Sequence, residues 1–219
     1  LIMPRGLIAW VANKVVLLMN WLTVKFAHSA LTYTQDYADH SSFLKKFSNK
    51  LSIALPPVVM PEVGENEILE FGRLHNPDGR IPLIGMAVRF ATEKGVEVLL
   101  NALPKVFESY PQAKVLFAGP YQNIAGEEHY FNKLIGTINI LEKSGSWKFL
   151  GNLSRKEMAA FYSNLDILVL PSLNSTEAFG LVQIEAMFHG VPCIASNLPG
   201  VRRPVQMHQM GEIIPIGDS

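Results

Sequence analysis

From residue 82 onward, short uninterrupted apolar segments alternate with amphipathic ones. The apolar segments predict strands, and the segments between them have helical spacing, as at Val96, Leu99 and Leu103. The predicted strands cover residues 82–88, 114–118, 147–150, 166–170 and 191–196, and the predicted helices cover residues 93–109, 127–143, a segment that Ser154 opens, and 179–189. Continuous apolar strands that alternate with helices indicate an α/β fold with a parallel sheet covered on both faces.

The composition excludes several classes of protein. Lys and Arg number 19 and Asp and Glu number 19, so the formal net charge is zero, whereas a dedicated nucleic-acid-binding domain has a basic excess. The single cysteine, Cys193, excludes an internal disulfide framework and a cysteine-based zinc site. The His, Asp and Glu residues show no metal-ligand spacing, so we expect no metal site.

The first 80 residues are less regular. Residues 7–27 are the most apolar stretch, but Asn13, Lys14 and Asn20 interrupt it. This stretch fits a buried or half-buried helix, a membrane-surface helix or a transmembrane helix, and the sequence leaves the three open. Further elements are predicted as strands at residues 30–34 and 51–55, a helix at 36–47, and a linker or exposed loop at the polar, turn-rich residues 61–80.

Ligands of open parallel sheets bind beyond the carboxyl ends of the strands, so the loops that follow the strands carry the functional prediction. The first of these loops, RFATEKG, contains Arg89 and Lys94 beside a predicted helix N-terminus. Two cations at such a place predict an anion site. The alternative is that Lys94 pairs with Glu93 or Glu97 while Arg89 is solvated.

A second loop, PSLNSTEAFG, leads into the apolar helix LVQIEAMF. Glu177 precedes this helix and Glu185 lies within it among apolar neighbours, where a carboxylate needs a partner or a ligand. Glu185 could accept hydrogen bonds from two ribose hydroxyls, or it could pair with His189 one turn later. Gly180 removes a side chain where the helix begins, so that its N–H groups can approach a phosphate or a sugar.

These motifs resemble those of the retaining glycosyltransferases of the GT-B fold, specifically family 4. The family pattern E-x-F-G-L-x-x-x-E-A-M-x-x-G-x-P is matched by Glu177, Phe179, Gly180, Leu181, Glu185, Ala186, Met187, Gly190 and Pro192. Further matches, in the family's order over residues 82–217, are the R-x-x-x-x-K-G turn at Arg89, Lys94 and Gly95, the strand end at Gly119, F-x-G at Phe149 to Gly151, P-S at Pro171, and LPGVR from Leu198.

The resemblance implies transfer of a sugar from a nucleoside diphosphate sugar to an acceptor, without cofactor or metal. It implies that Arg89 and Lys94 neutralise the diphosphate and that Glu177 contacts the donor sugar, which makes these three the predicted catalytic residues. The implied donor-binding residues are Phe179, Gly180 and Leu181 for phosphate and sugar, Glu185 for the ribose, and Gly119 and Gly151 for the base pocket.

The resemblance also implies a Rossmann-like domain organisation that this chain covers in part. We expect residues 1–60 to be the C-terminal part of an incomplete acceptor domain, 61–80 a linker, and 81–219 the nucleotide-sugar-binding domain, truncated at its C-terminus and inactive on its own. Two departures from the family pattern are Arg203, where many relatives carry glutamate, and the GPYQN loop after Gly119, which lacks G-x-G.

Several functional alternatives follow from the same sequence. A non-catalytic nucleotide-binding module of the same fold is the main one, and a phosphorylase or sugar-phosphate epimerase ranks below it. A dehydrogenase is disfavoured because no G-x-G-x-x-G turn occurs. The expected partners are the nucleotide-sugar donor and a saccharide or lipid-linked acceptor, with no nucleic acid. The expected location is the cytoplasm, with peripheral membrane contact left open.

Overall fold

The computed structural model describes residues 7–219, which divide into two compact units at Pro56 and Pro57. In the first unit, α1 (Leu7–Phe26) is followed by β1 (Ala30–Thr32), α2 (Gln35–His40), a 3-10 helix (Leu44–Lys50) and β2 (Leu51–Ile53). Strands β1 and β2 form a two-stranded parallel sheet. The Lys50 ammonium donates to the carbonyl of Ala27 at 3.1 Å. A cation at this place stabilises the C-terminal end of α1, where the helix dipole is negative.

One prediction for this first unit needs correction and another is narrowed. The helix predicted over residues 36–47 is split, because α2 ends at Ser41, whose hydroxyl accepts the backbone N–H of Leu44 at 3.2 Å. In α1, large apolar side chains are exposed, among them Trp10, Leu18 and Phe26, whereas other apolar side chains of the helix are half-buried. Within this chain the helix is therefore half-buried and not fully buried. Within residues 7–219, no helix combines the length and the apolar character that crossing a bilayer requires.

The second unit is built on a six-stranded sheet of β3 (Leu83–Ala87), β4 (Lys114–Ala118), β5 (Trp147–Gly151), β6 (Ile167–Leu170), β7 (Cys193–Ser196) and β8 (Gly211–Ile214). All neighbours pair in parallel in the order β5-β4-β3-β6-β7-β8. The connecting helices are α4 (Val96–Ser109), α5 (Glu128–Lys143), α6 (Arg155–Ser163), α7 (Leu181–Phe188) and α8 (Arg203–His208). Since such connections are right-handed, α4 and α5 cover one face and α6 to α8 the other. The predicted α/β class is confirmed.

Helix α3 (Glu65–His75) stands where the sequence indicated a linker or exposed loop. Its Phe71 is buried, and Gly72 lies so close to α6 that an added Cβ would be 2.7 Å from the Asn164 side-chain oxygen. At its C-terminus, Lys114 Nζ donates to the His75 carbonyl at 2.8 Å. The loop interpretation is wrong here because the helix gains stability from packing on α6, which turn-residue statistics do not report. The predicted domain boundaries stay a prediction.

The sixth strand and the helix before it were also missed. Strand β8 is short and half exposed, without the long apolar run of the others. Its pairing depends on Gly211, where φ is 132° and a Cβ would lie 1.8 Å from the Cys193 carbonyl oxygen. The capping box predicted for α6 is confirmed: the Ser154 hydroxyl accepts the Glu157 N–H at 3.3 Å, and the Ser154 N–H donates to Glu157 Oε2 at 2.7 Å.

Candidate functional site

The strand order places a topological switch point between β3 and β6. From β3 the chain continues to β4 and β5 on one side, and from β6 to β7 and β8 on the other. Ligands of open parallel sheets bind in the crevice at such a point. The loops that follow β3 and β6 contain the three predicted catalytic residues, Arg89, Lys94 and Glu177, so the fold brings these loops to the same crevice.

Backbone contacts join the two loops directly. The Leu173 N–H donates to the Glu93 carbonyl at 2.9 Å. Gly95, between the 3-10 turn Thr92–Lys94 and α4, has φ 68°, and a Cβ there would lie 2.1 Å from the Pro171 carbonyl oxygen. Any other residue would have to displace the Pro171 carbonyl, so glycine at position 95 allows the two loops to come into contact.

Lys94 and Glu177 form an ion pair across these loops. Lys94 Nζ lies 2.6 Å from Glu177 Oε2, and the side chains are only 18% and 19% exposed. The Gly180 N–H donates to the other carboxylate oxygen of Glu177 at 3.1 Å. Gly180 is the N-cap of α7 with φ 77°. The carboxylate therefore lies against a helix N-terminus, where unpaired N–H groups and the helix dipole favour an anion.

Arg89 forms its ion pair with Glu93, which is 5% exposed, whereas Arg89 itself is 52% exposed. A nearly buried carboxylate needs such a cation. Arg89 contacts Glu93 Oε1, and Oε2 has no hydrogen-bond partner within residues 7–219. The alternative in which Lys94 pairs with Glu93 or Glu97 is wrong, and so is a solely solvated Arg89. Glu97 instead accepts from the Tyr130 hydroxyl, and burial raises the pKa of its carboxyl.

Glu185 is half-buried on α7, and its partner is Tyr162 of α6. The Tyr162 hydroxyl donates to Glu185 Oε2 at 2.7 Å. The Glu185–His189 pair considered from the sequence is wrong, because His189 Nδ1 instead hydrogen-bonds the Ser163 hydroxyl at 2.9 Å. Sequence reasoning missed Tyr162, although a tyrosine on the buried face of a helix signals a hydroxyl in need of a partner.

The remaining predicted donor-site residues lie around the same edge of the sheet. The Gly119 N–H donates to the Gly151 carbonyl at 2.7 Å, so the ends of β4 and β5 adjoin. Gly119 also approaches the loop after β3, since a Cβ there would be 2.2 Å from the Val88 carbonyl oxygen. Phe179 is buried, and Leu181 begins α7 partly exposed.

Two further residues at this edge, Tyr121 and Glu127, were not among the predicted site residues. Tyr121 stacks on Phe149 with ring centroids 4.0 Å apart, and it lines a cavity of about 340 Å³. Glu127 lines the same cavity and accepts the Thr92 N–H at 2.9 Å and the Thr92 hydroxyl at 2.6 Å. Their partners are 28 and 35 residues away in the sequence, so spacing does not reveal these contacts. Among the residues that the structure describes, no group of His, Cys, Asp or Glu could hold a metal ion.

Residues 71–219 match the family model of the glycosyl transferases group 1. The chain belongs to this family. The range that matches the glycosyl transferases group 1 model contains every residue predicted for the donor site, from Arg89 to Glu185.

Relatives and solved structures agree with this assignment. The phosphatidyl-myo-inositol mannosyltransferase of Mycobacterium leprae is 32% identical over 143 residues, 63% of this chain and 35% of that protein. A glycogen synthase of Mycobacterium tuberculosis is 31% identical over 151 residues, 69% of this chain and 30% of that protein. The crystal structure of Anabaena HepE in complex with UDP superposes with a TM-score of 0.75 at 22% identity, over 90% of this chain and 52% of that chain. This likeness confirms the GT-B type of fold.

The chain spans about a third of the length of these two curated relatives and about half of the solved chain.

Proposed function

We propose that this chain supplies the donor site of a glycosyltransferase that transfers a sugar from a nucleoside diphosphate sugar to an acceptor with retention of anomeric configuration. The observation that carries the proposal is the Lys94–Glu177 pair against the N-terminus of α7, at the switch point of the sheet. Membership of the glycosyl transferases group 1 family supports it, as does the UDP complex of the structurally similar HepE.

The chemistry follows from where charge develops. As the glycosidic bond to the diphosphate breaks, negative charge grows on the phosphate oxygens, and cations already in place stabilise it. Lys94 and Arg89 supply that charge in our proposal, with the N–H groups at the start of α7. Donor binding exchanges the partners of the ion pair: Lys94 turns to the diphosphate and the Glu177 carboxylate accepts hydroxyls of the transferred sugar.

The rest of the donor is held along the carboxyl edge of the sheet. Glu185 accepts hydrogen bonds from the ribose hydroxyls, and backbone at Phe179 to Leu181 contacts phosphate and sugar. Gly119 and Gly151, whose backbones adjoin at the ends of β4 and β5, line the base pocket. Cofactor chemistry has no place in this proposal, since the nucleotide sugar is a substrate.

For the whole protein we propose a saccharide or lipid-linked acceptor and a cytoplasmic location with peripheral membrane contact through α1. The name of the mycobacterial relative, a phosphatidyl-myo-inositol mannosyltransferase, supports a lipid-linked acceptor. Exposed Trp10 and Phe26 on α1 support the membrane contact. The first unit is proposed to belong to the acceptor domain, so sugar transfer needs more than the second unit.

Calorimetric titration with UDP, GDP and ADP tests the donor site. We expect saturable binding of one diphosphate, and we expect Lys94→Ala and Glu185→Ala each to weaken it about 10- to 100-fold, the usual effect of losing a hydrogen bond to a charged group. Lys143→Ala, at the exposed end of α5, is the matched control and should bind as the unchanged chain does.

Absence of binding by the folded chain would contradict a donor site within these residues. Equal losses for Lys94→Ala and the control would contradict the role of Lys94. Binding without sugar transfer by the whole protein would instead favour a non-catalytic nucleotide-binding module.

A further inference from the structure

The phenol of Tyr162 is fully buried, and among the residues that the structure describes its hydroxyl has a single acceptor, the Glu185 carboxylate at 2.7 Å. Water does not compete for a hydrogen bond in such a place, and a bond to an ionised acceptor is stronger than one between neutral groups. Burial, and then the Glu185 carboxylate, raise the pKa of the Tyr162 hydroxyl. The group therefore stays a donor throughout the physiological pH range.

His189 packs against the Tyr162 ring and does not compete with the Tyr162 hydroxyl for the Glu185 carboxylate. The His189 ring stacks on the Tyr162 ring, with centroids 6.0 Å apart and planes 20° apart. Burial lowers the pKa of His189, and its Nδ1 is engaged with Ser163, so it does not compete for the Glu185 carboxylate. Within residues 7–219, no hydrogen bond to this carboxylate is formed other than that of Tyr162.

A carboxylate that accepts hydrogen bonds from two vicinal ribose hydroxyls must have a defined orientation. Both bonds form well only if the carboxylate plane is fixed before the nucleotide arrives, because a freely turning side chain loses rotational freedom on binding. The Tyr162 hydroxyl fixes one oxygen of Glu185, while the other oxygen and the remaining lone pair of the first stay available to accept.

We propose that Tyr162 is a positioning residue that orients the Glu185 carboxylate for recognition of the ribose 2′- and 3′-hydroxyls of the donor nucleotide. This inference rests on the proposed function, since it needs Glu185 to bind the ribose. Tyr162 acts through Glu185 and does not itself touch the donor.

The test compares each diphosphate with its 2′,3′-dideoxy form, using the full chain. Tyr162→Phe removes only the hydroxyl. We expect this change to weaken binding of the ribonucleoside diphosphate about tenfold and binding of the dideoxy form less than about twofold, because only the former uses the oriented carboxylate. Tyr130→Phe is the matched control: it removes the hydroxyl of another buried tyrosine that donates to a half-buried glutamate, Glu97, outside the donor site, and should leave both affinities unchanged.

The outcomes separate the inference from the function on which it rests. If the unchanged chain binds none of UDP, GDP and ADP, both fall. Suppose that the unchanged chain binds the ribonucleoside diphosphate more tightly than its dideoxy form. If Tyr162→Phe keeps that preference, or weakens binding of the two forms equally, only the inference about Tyr162 is wrong. Should the phenylalanine variant not fold, 4-aminophenylalanine at position 162 retains a donor: a preserved ribo preference supports the inference, and a lost one overturns it.

Discussion

At the scale of single residues, the site depends on two glycines whose lack of a Cβ allows close backbone contacts. Gly95 and Gly119 each bring a loop to within contact of a neighbouring carbonyl, and in both cases a Cβ would overlap that oxygen. At Gly95 the backbone is also left-handed, so that a side chain would be strained whatever the space. The approach of the β3 and β6 loops therefore requires a residue without a side chain at position 95.

Gly95→Ala tests this dependence. We expect the free energy of unfolding to fall by about 3 kcal/mol, through backbone strain together with the clash at Pro171. Gly136→Ala is the matched control, because Gly136 lies within α5 with open space around it, and alanine there should stabilise the protein by about 0.5–1 kcal/mol. Urea unfolding measures both changes, and equal stability of the two variants would refute the argument.

At the scale of elements, α3 and α6 begin in the same way. The third residue of each helix, Glu67 or Glu157, accepts the backbone N–H of the N-cap residue, at 2.9 Å from Gly64 and at 2.7 Å from Ser154. Hydrogen bonds from the Ser154 side chain and backbone lower the pKa of the Glu157 carboxyl. The two helices pack on each other, so their starts define one corner of the second unit.

The lowered pKa of Glu157 makes its contribution to stability dependent on pH. Because the folded-state pKa lies below the unfolded one, the contribution is present above the unfolded value, about 4.3, and is lost as the pH falls through the folded value. Glu157→Gln should therefore be less stable than the unchanged chain at pH 7, with the gap closing towards pH 3. Urea unfolding at both pH values measures the gap. A gap that widens in acid would show that the carboxylate does not act through this cap.

Prediction from sequence succeeded where a pattern is local. The strands β3 to β7 follow from apolar runs, and the Ser154 cap from its spacing to Glu157. It failed where stability comes from distant partners: α3 gains from Asn164 and Lys114, and Glu185 is held by Tyr162 rather than by the nearby His189. Lys94 and Glu177 are 83 residues apart in the sequence, and they pair because the loops after β3 and β6 meet at the switch point of the sheet. No one-dimensional spacing contains that information.

At the scale of the whole molecule, the neutral net charge hides an uneven distribution. In the first unit, residues 10–56 carry the cations Lys14, Lys25, Lys45, Lys46 and Lys50 against the anions Asp36 and Asp39. On α1, Lys25 Nζ lies 4.5 Å from the centroid of the Trp21 ring, and large apolar side chains are exposed beside it. Basic and aromatic residues beside an apolar helix surface are typical of proteins that bind at the membrane interface.

Vesicle sedimentation tests the membrane contact. We expect the chain to bind vesicles that contain phosphatidylserine, to lose most of that binding at 1 M salt, where surface charges are screened, and to bind about tenfold more weakly after Phe26→Ser. Ile140→Ser, which replaces a comparably exposed apolar residue on α5, serves as the control. Similar binding by both variants would argue against α1 as the contact.

The Lys94–Glu177 pair also bears on the end of a catalytic cycle. Under the proposed function, the nucleoside diphosphate that remains after transfer contacts Lys94 and the N-terminus of α7, the same groups that the Glu177 carboxylate contacts in this structure. The carboxylate is attached to the same loop, so it competes with the product at a high effective concentration. During product release the Glu177 carboxylate then replaces the nucleoside diphosphate beside Lys94. The Lys94 ammonium is therefore already paired with a carboxylate when the diphosphate leaves.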